Sequence, residues 1–286
     1  MFTHNPVTPV RLQILVELLA YCPRGLVRED VYKLLQPRPL NPSTGDGNPA
    51  LVTVQAATAL GLAVDREGTL TLSQQYRQSF NSRGAILHAF DSVVLSNVEV
   101  EKYFALFYAY ILGLGKRAHD FRSYNNDQWA AAFNEAVFEN EKQANPFNGD
   151  KLTGLRRWLN FVGLGWYDPN SEFQPNPYER LQRALPRIFD RQKKLEANVF
   201  MEQLAAACPE LDGGELFRQA NRKWDGSGKH CTLGLSHALT ELHLDGVIRL
   251  SCPADSDGWN IGEAEPPRNE DFSSARFVAV EFPSKD

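Results

Sequence analysis

The sequence predicts that a helix ends and a strand begins within Ala59-Leu60-Gly61-Leu62-Ala63-Val64. Glycine tolerates the left-handed conformation in which many helices end, and the apolar residues after Gly61 are suited to start a strand. The same arrangement recurs at domain-sized separations, in Phe161-Val162-Gly163-Leu164-Gly165-Trp166 and in Leu244-Asp245-Gly246-Val247-Ile248. One such junction would be weak support for any fold. Three of them indicate a chain built from repeated helix-to-strand modules.

A junction of this kind leads from the third helix of a winged helix into its hairpin, the wing. The residues before the first junction fit that order, because apolar residues at helical spacing predict helices over 9–22, 26–35 and 50–60. A hairpin of 62–64 with 70–72 follows. The sequence therefore predicts a fold that is mainly α with small β-hairpins (α+β), as tandem winged-helix modules joined by a helical middle region.

We expect four regions along the chain. They are an N-terminal winged helix (1–83), a helical region with a degenerate second winged helix (84–194), a C-terminal winged helix (195–262) and an acidic tail with a last strand over 276–282 (263–286). In the helical region, helices are expected over 85–95, 98–114, 127–143, 151–161 and 177–194. In the third module, helices are expected over 197–207, 215–223 and 232–244, with a wing from 247–251 to 259–261. The second wing, from 165–167 to 173–175, is short, and its prolines weaken the returning strand.

The composition is ordinary for two or three small globular domains, with 286 residues, 43% of them apolar, and a net charge of −5. Residues 251–286 carry 3 basic and 8 acidic side chains, a difference that equals the whole net charge. That balance disfavours a dedicated, high-affinity DNA binder. The chain shows neither a long apolar run nor a basic, then apolar leader, so we expect a cytoplasmic protein without membrane contact. The four scattered cysteines are expected to be reduced thiols.

The predicted third helices differ in their suitability for DNA. Helix 50–60 contains no basic residue and so lacks the phosphate contacts that dominate DNA affinity, which favours a packing or protein-binding role. Helix 151–160 carries Lys151, Arg156 and Arg157, which are suited to phosphates or guanine edges. A solvated surface is the alternative interpretation for these three side chains.

The third module has basic residues before its last helix, namely Arg222, Lys223 and Lys229. Phosphates are often held at such a position. Its predicted wing tip, however, carries Asp255 and Asp257, which would repel a DNA backbone. DNA contact and protein contact are both open here.

The most regular basic feature lies between the modules. Its side chains recur at three- and four-residue steps, which would align them along one helical stripe: Arg180, Arg183, Arg187, Arg191 and Lys194. Such a stripe could follow a phosphate backbone, bind an acidic partner or the acidic tail, or form a solvated face. Pro186 would bend it or open a new helix.

The aromatic helix 98–114 contains Tyr103, Phe104, Phe107, Tyr108 and Tyr110. Aromatic side chains bury large areas, so we interpret this helix as part of a core. A homodimer face is the alternative.

We find no pattern that predicts catalysis. The chain lacks a phosphate-binding GxxxxGK[ST] loop, a GxGxxG fingerprint, HExxH and GxSxG. His230, Cys231, His237 and His243 are spaced so that they do not share one helical face, and no second cysteine completes a zinc site. We therefore expect no enzymatic activity, no catalytic residue, no metal and no cofactor.

Two longer stretches carry a family resemblance. Together with three modules in one chain, Trp158-Leu159-Asn160-Phe161-Val162-Gly163-Leu164-Gly165 and Pro209-Glu210-Leu211-Asp212-Gly213-Gly214 resemble DpdG-type proteins, accessory components of bacterial 7-deazaguanine DNA-modification islands. The resemblance implies a non-catalytic role beside nucleases and helicases in discriminating unmodified DNA.

The expected function is thus that of a non-catalytic DNA-binding or scaffold component of a bacterial DNA-modification or anti-phage defence complex. Its partners would be the other proteins of that complex and double-stranded DNA. One alternative is a kite-like winged-helix subunit of an SMC or condensin-type complex. Another is a transcriptional regulator, which the uncharged helix 50–60 disfavours.

Overall fold

A computed structural model of the protein describes residues 7–36, 48–77, 81–96, 101–115, 117–118, 123–139, 145–168, 172–222, 224, 229–252, 257–261 and 276–283. The helices among them are α1 Pro9–Tyr21, α2 Arg28–Leu35, α3 Pro49–Ala59, α4 Ser82–Val93, α5 Lys102–Leu114, α6 Asn126–Phe138, α7 Gly149–Phe161, α8 Tyr178–Ile188, α9 Ala197–Ala207, α10 Glu215–Ala220 and α11 Leu233–Leu244. The strands are β1 Leu26–Val27, β2 Ala63–Arg66, β3 Thr69–Leu72, β4 Gly165–Tyr167, β5 Phe173–Pro175, β6 Lys194–Glu196, β7 Arg249–Ser251, β8 Trp259–Asn260, β9 Arg276–Phe277 and β10 Ala279–Glu281. The chain is mainly α with small antiparallel β-sheets, which confirms the predicted fold class.

The chain divides into two compact units that alternate along the sequence. The first comprises Met1–Phe104 with Phe147–Phe161, and the second comprises Ala105–Pro146 with Val162–Asp286. The expected region boundaries after residues 83, 194 and 262 stay predictions.

The first unit contains the order α1-β1-α2-α3-β2-β3, with an antiparallel sheet in the order β1-β3-β2. The strand β1 was missed by the sequence analysis, which placed a helix over 26–35, because two residues are too few to show a period. The helix α7, which comes later in the chain, also belongs to this unit. Its Trp158 is fully buried, stacks on Phe90 at 5.5 Å between ring centroids, and donates from Nε1 to the carbonyl oxygen of Val7 at 3.1 Å.

The second unit contains a related order, α8-β6-α9-α10-α11-β7-β8-β9-β10, in which α10, β8 and β9 are additional, with a sheet in the order β6-β10-β7. The strand β6 runs directly into α9, just as β1 runs directly into α2. The predicted pairing of 247–251 with 259–261 is wrong, since β7 pairs with β10, and β8 pairs with β9. The predicted last strand over 276–282 is present as β9 and β10 and lies partly at the centre of a sheet. The acidic segment 263–275 lies outside the described residues.

The three glycine junctions are confirmed. Gly61, Gly163 and Gly246 have φ angles of 67°, 72° and 69°, all in the left-handed region. In two junctions the backbone N–H after the glycine returns to the helix, at 2.9 Å from Leu62 to Ala57 and 2.9 Å from Val247 to Leu242. This is the hydrogen bond of a Schellman motif. The assignment of the modules as winged helices stays an interpretation of the element order.

The aromatic side chains of α5 are buried within the chain. Phe104 meets Phe90 edge to face in the first unit, and Phe107 meets Phe133 in the same way in the second. A helix whose aromatic residues are already covered offers no aromatic face to a second copy, so the alternative of a homodimer through 98–114 is withdrawn. Among the described helices, none is long and apolar enough to cross a bilayer.

Candidate nucleic-acid interface

Arg180 is not part of an exposed surface. It lies on the inward face of α8, is 4% exposed, and donates from Nε to Oε1 of Glu210 at 2.8 Å. Its Nη2 donates to the carbonyl oxygen of Ala207 at 3.1 Å. Because Glu210 is fully buried, this is an ion pair inside the second unit. A guanidinium held there cannot reach a phosphate, so Arg180 is removed from the predicted DNA contacts.

Arg183 also serves the fold. Its Nη2 donates to the carbonyl oxygen of Val162 at 2.9 Å, and its Nη1 donates to that of Glu179 at 3.2 Å. The first of these bonds satisfies a carbonyl in the turn that contains the second glycine junction. The side chain is half-buried, which leaves it little freedom to contact a ligand.

The predicted helical stripe over 180–194 is wrong in its second half, because α8 ends at Ile188. Pro186 lies inside α8, in its last turn. Arg191 therefore lies in the connecting loop and Lys194 at the start of β6, where its cross-strand neighbour is Glu281. The exposed basic residues of this region are Arg187, Arg191, Lys193 and Lys194.

On α7 the three predicted residues differ. Lys151 is 7% exposed, and its Nζ lies 5.0 Å from the ring centroid of Tyr103. Burial lowers the pKa of this ammonium group, and the charge of Glu101 partly opposes the shift. Lys151 is therefore a cation of the protein interior and is removed from the interface. Arg157 is exposed and Arg156 half-buried, so these two remain candidates.

The basic residues before α11 are engaged within the second unit. Arg222 Nη1 donates to Glu139 at 2.8 Å, and its Nη2 donates to the carbonyl oxygen of Val137 at 3.2 Å. Lys229 Nζ donates to Asp257 at 2.9 Å, and this bond lowers the pKa of the Asp257 carboxyl group. The basic residue and the acidic wing residue thus neutralise each other. Lys223 and Asp255 lie outside the described residues.

The helices that precede the first and third junctions, α3 and α11, carry no arginine or lysine. The exposed side chains of α3 include Gln55 and Thr58, and those of α11 include His237 and Leu244. The start of α11 is held by a buried carboxylate, since Asp212 accepts from Thr232 N at 2.6 Å and from Thr232 Oγ1 at 2.8 Å. Burial raises the pKa of Asp212 to about 6, although these two bonds act against the shift.

A groove of about 430 Å³ opens beside the exposed end of the basic region. It is lined by residues of α8, the following loop, β6 and α9, namely Arg187, Ile188, Asp190, Arg191, Gln192, Leu195 and Gln203. The sequence analysis found the two arginines but missed both glutamines. No charge or period marks those two residues, and Gln203 lines the same groove as Arg187 because α9 packs against α8.

These features define a class of protein: a multi-module α+β chain in which the helices before the first and third glycine junctions lack arginine and lysine, whereas the helix before the second junction carries both. A family model described as DpdG-like matches residues 3–256, and the chain belongs to that family. The family associates the chain with a DNA-modification system of several components. No curated protein and no solved structure matches the chain. Among the described residues, no three His, Cys, Asp or Glu side chains converge as metal ligands.

Proposed function

We propose that the protein is a non-catalytic scaffold and DNA-binding component of a bacterial DNA-modification or anti-phage defence complex in the cytoplasm. The observation that carries the scaffold part of the proposal is the absence of arginine and lysine from α3 and α11. A winged helix that reads DNA usually inserts its third helix into the major groove and holds the backbone with basic side chains. Helices without such side chains favour protein contact.

Helix α3, which carries no charged residue, suits a protein partner for a second reason. Interface cores are depleted in charged residues, because a buried charge loses its hydration. On α3 the side chains of Gln55 and Thr58 are exposed and those of Leu51 and Val52 are partly exposed, so a partner covering them would desolvate no charge. We therefore assign protein contact to the first and third winged-helix modules.

DNA contact then falls to basic residues outside these helices. In the first unit they are Arg156 and Arg157 of α7, and in the second they are Arg187 and Arg191. Each phosphate contact releases a counterion, so binding weakens as the salt concentration rises. The slope of log K against log salt is about −0.9 per contact. A few contacts predict modest affinity that is lost at moderate salt.

The test is fluorescence anisotropy of a labelled DNA duplex between about 50 and 200 mM salt. The wild-type protein should bind at the lower concentration, and R156E/R157E or R187E/R191E should weaken that binding. The matched control is R24E/R66E, which makes the same change in net charge at two exposed residues of the first unit.

Absence of salt-sensitive binding by the wild-type protein overturns the DNA part of the proposal and leaves a pure interaction protein. The scaffold part is tested by co-expression with the products of neighbouring genes and size-exclusion chromatography. The scaffold part is supported if a neighbouring gene product co-elutes with the wild-type protein and does not co-elute with an α3 variant such as Q55E/T58E. It is overturned if none of the neighbouring gene products co-elutes with the wild-type protein.

A further inference from the structure

We infer that the groove lined by Arg187, Arg191, Gln192 and Gln203 binds the phosphodiester backbone of DNA. The inference rests on the DNA contact proposed above, and it specifies where that contact lies and by which chemistry it is made. The ligand chemistry is a phosphodiester held by two guanidinium groups and two carboxamides.

The groove combines an apolar floor with a polar rim. Its floor is apolar, because Ile188 and Leu195 are buried and line it from α8 and β6. Its rim is polar, with Arg187, Arg191 and Gln192 exposed and Gln203 partly exposed. A volume of about 430 Å³ lies at the lower end of ligand pockets, so it suits one short length of backbone.

The backbone that carries the arginines is anchored at both ends. Phe189, directly after α8, is buried and stacks on Phe282 at 5.4 Å between ring centroids. The N–H of Phe282 donates to the carbonyl oxygen of Lys193 at 2.8 Å, which ties the end of the same loop to the chain beyond β10. Groups that are held before binding lose less conformational entropy when the ligand arrives.

The two guanidinium groups of the groove are not engaged by other described residues of the protein. In the part of the chain that the structure describes, neither Arg187 nor Arg191 forms an ion pair or a hydrogen bond, although Asp190 lines the same groove. The contrast with Arg180 and Arg183 is direct, since both of those donate to protein oxygens. A guanidinium presents a planar fork of donors that matches a phosphate, and a glutamine amide adds a neutral donor.

The net charge of the groove is low, so the test must separate the contribution of charge from that of hydrogen bonds. Two arginines and one aspartate give a formal charge of +1, so geometry and hydrogen bonds must contribute beside charge. Removing an arginine removes a charge-dependent contact, which changes both affinity and salt dependence. Removing a glutamine changes affinity alone.

The experiment measures anisotropy of labelled single-stranded and duplex DNA across salt concentrations for wild-type protein, R187Q/R191Q, Q203L and D190N. We expect R187Q/R191Q to reduce the slope of log K against log salt by about 2 for duplex DNA and somewhat less for a single strand. Q203L should weaken binding several-fold at every salt concentration without changing the slope. D190N should strengthen binding. The matched control R24Q/R66Q should leave the slope unchanged, and urea unfolding must show that each variant is folded.

The outcomes separate this inference from the proposed function. If the wild-type protein binds DNA and R187Q/R191Q leaves the slope unchanged, the groove assignment is overturned while DNA contact stands. If the wild-type protein binds no DNA, both are overturned. An arm with inorganic pyrophosphate and ATP distinguishes a free phosphate ligand, because binding of either compound at Arg187 and Arg191 without DNA binding overturns the backbone assignment.

Discussion

Arg180 and Glu210 form an ion pair in which Nε lies 2.8 Å from Oε1, with the two side chains 4% and 0% exposed. The pair connects α8 to the turn after α9, and the same guanidinium also donates to Ala207. Two basic residues of one apparent stripe, Arg180 and Arg183, are therefore structural, and the ligand-accessible charge starts at Arg187.

Breaking this pair should destabilise the protein strongly. Either R180M or E210Q removes one partner and leaves the other polar group buried, so we expect a loss of about 3–5 kcal/mol in the free energy of unfolding. The measurement is urea unfolding followed by circular dichroism. The matched control is K33M, which breaks the exposed pair with Asp30 and should cost about 0.5 kcal/mol or less. A loss for R180M as small as that of K33M would contradict the assignment of a buried pair.

The three junction glycines should differ in their tolerance of alanine. At Gly61 and Gly246 an added Cβ meets nothing within 4 Å, so the cost is that of a left-handed alanine, about 1–2 kcal/mol. At Gly163 the added Cβ would lie 2.5 Å from the Cβ of Glu179, so a steric clash adds to the backbone cost. In thermal unfolding, G163A should have a clearly lower melting temperature than G61A and G246A. Equal melting temperatures for the three variants would contradict this geometry.

Asp212 should make stability depend on pH in an unusual direction. Its pKa is about 6 in the folded protein against an ordinary value of 3.8, because burial disfavours the charged form. The folded state therefore binds the proton more tightly than the unfolded state. Its contribution to the free energy of unfolding should rise as the pH falls from about 7 to about 4, by up to roughly 3 kcal/mol.

The check is the difference between wild type and D212N in urea unfolding across that pH range. T232V removes a hydroxyl donor that lowers the pKa of Asp212, so it should move the transition to higher pH. A difference between wild type and D212N that does not vary with pH would show that Asp212 does not titrate as described.

The last strand should be essential to the second unit. Val280 is fully buried in β10 between Leu195 of β6 and Leu250 of β7. A charge placed there has no partner among these apolar neighbours, so V280D should cost more than about 4 kcal/mol. The adjacent Glu281 is partly exposed, and E281Q is the matched control with an expected effect of about 0.5 kcal/mol or less.

Amide hydrogen exchange provides the measurement. V280D, and a chain that stops after residue 262, should lose protection in β6 and β7, whereas E281Q should keep it. Full protection of β7 in the shortened chain would mean that β10 is dispensable.

Local sequence was sufficient for much of the fold. Apolar spacing predicted α9 at its observed bounds and α1, α3, α7 and α11 within two residues, because a helix is made of contacts between near neighbours. The glycine junctions were predictable for the same reason, since a left-handed φ angle is a property of one residue. The DpdG-like family was also recognisable from sequence stretches alone.

Pairings between distant segments could not be read in this way. The strands β1 and β6 are too short to show a period. The strand β10 pairs with both β6 and β7, although it follows them in the sequence after the acidic segment. The same limit applies to the candidate site. Arg180 and Arg187 share a basic pattern in the sequence, but Arg180 pairs with the buried Glu210, whereas Arg187 lines an open groove together with Gln203. The sequence by itself determined the helices, the glycine junctions and the positions of the basic residues along the chain. The tertiary structure decided which of those charges are neutralised inside the protein and which stay exposed, because ion pairing and burial depend on residues that are distant along the chain.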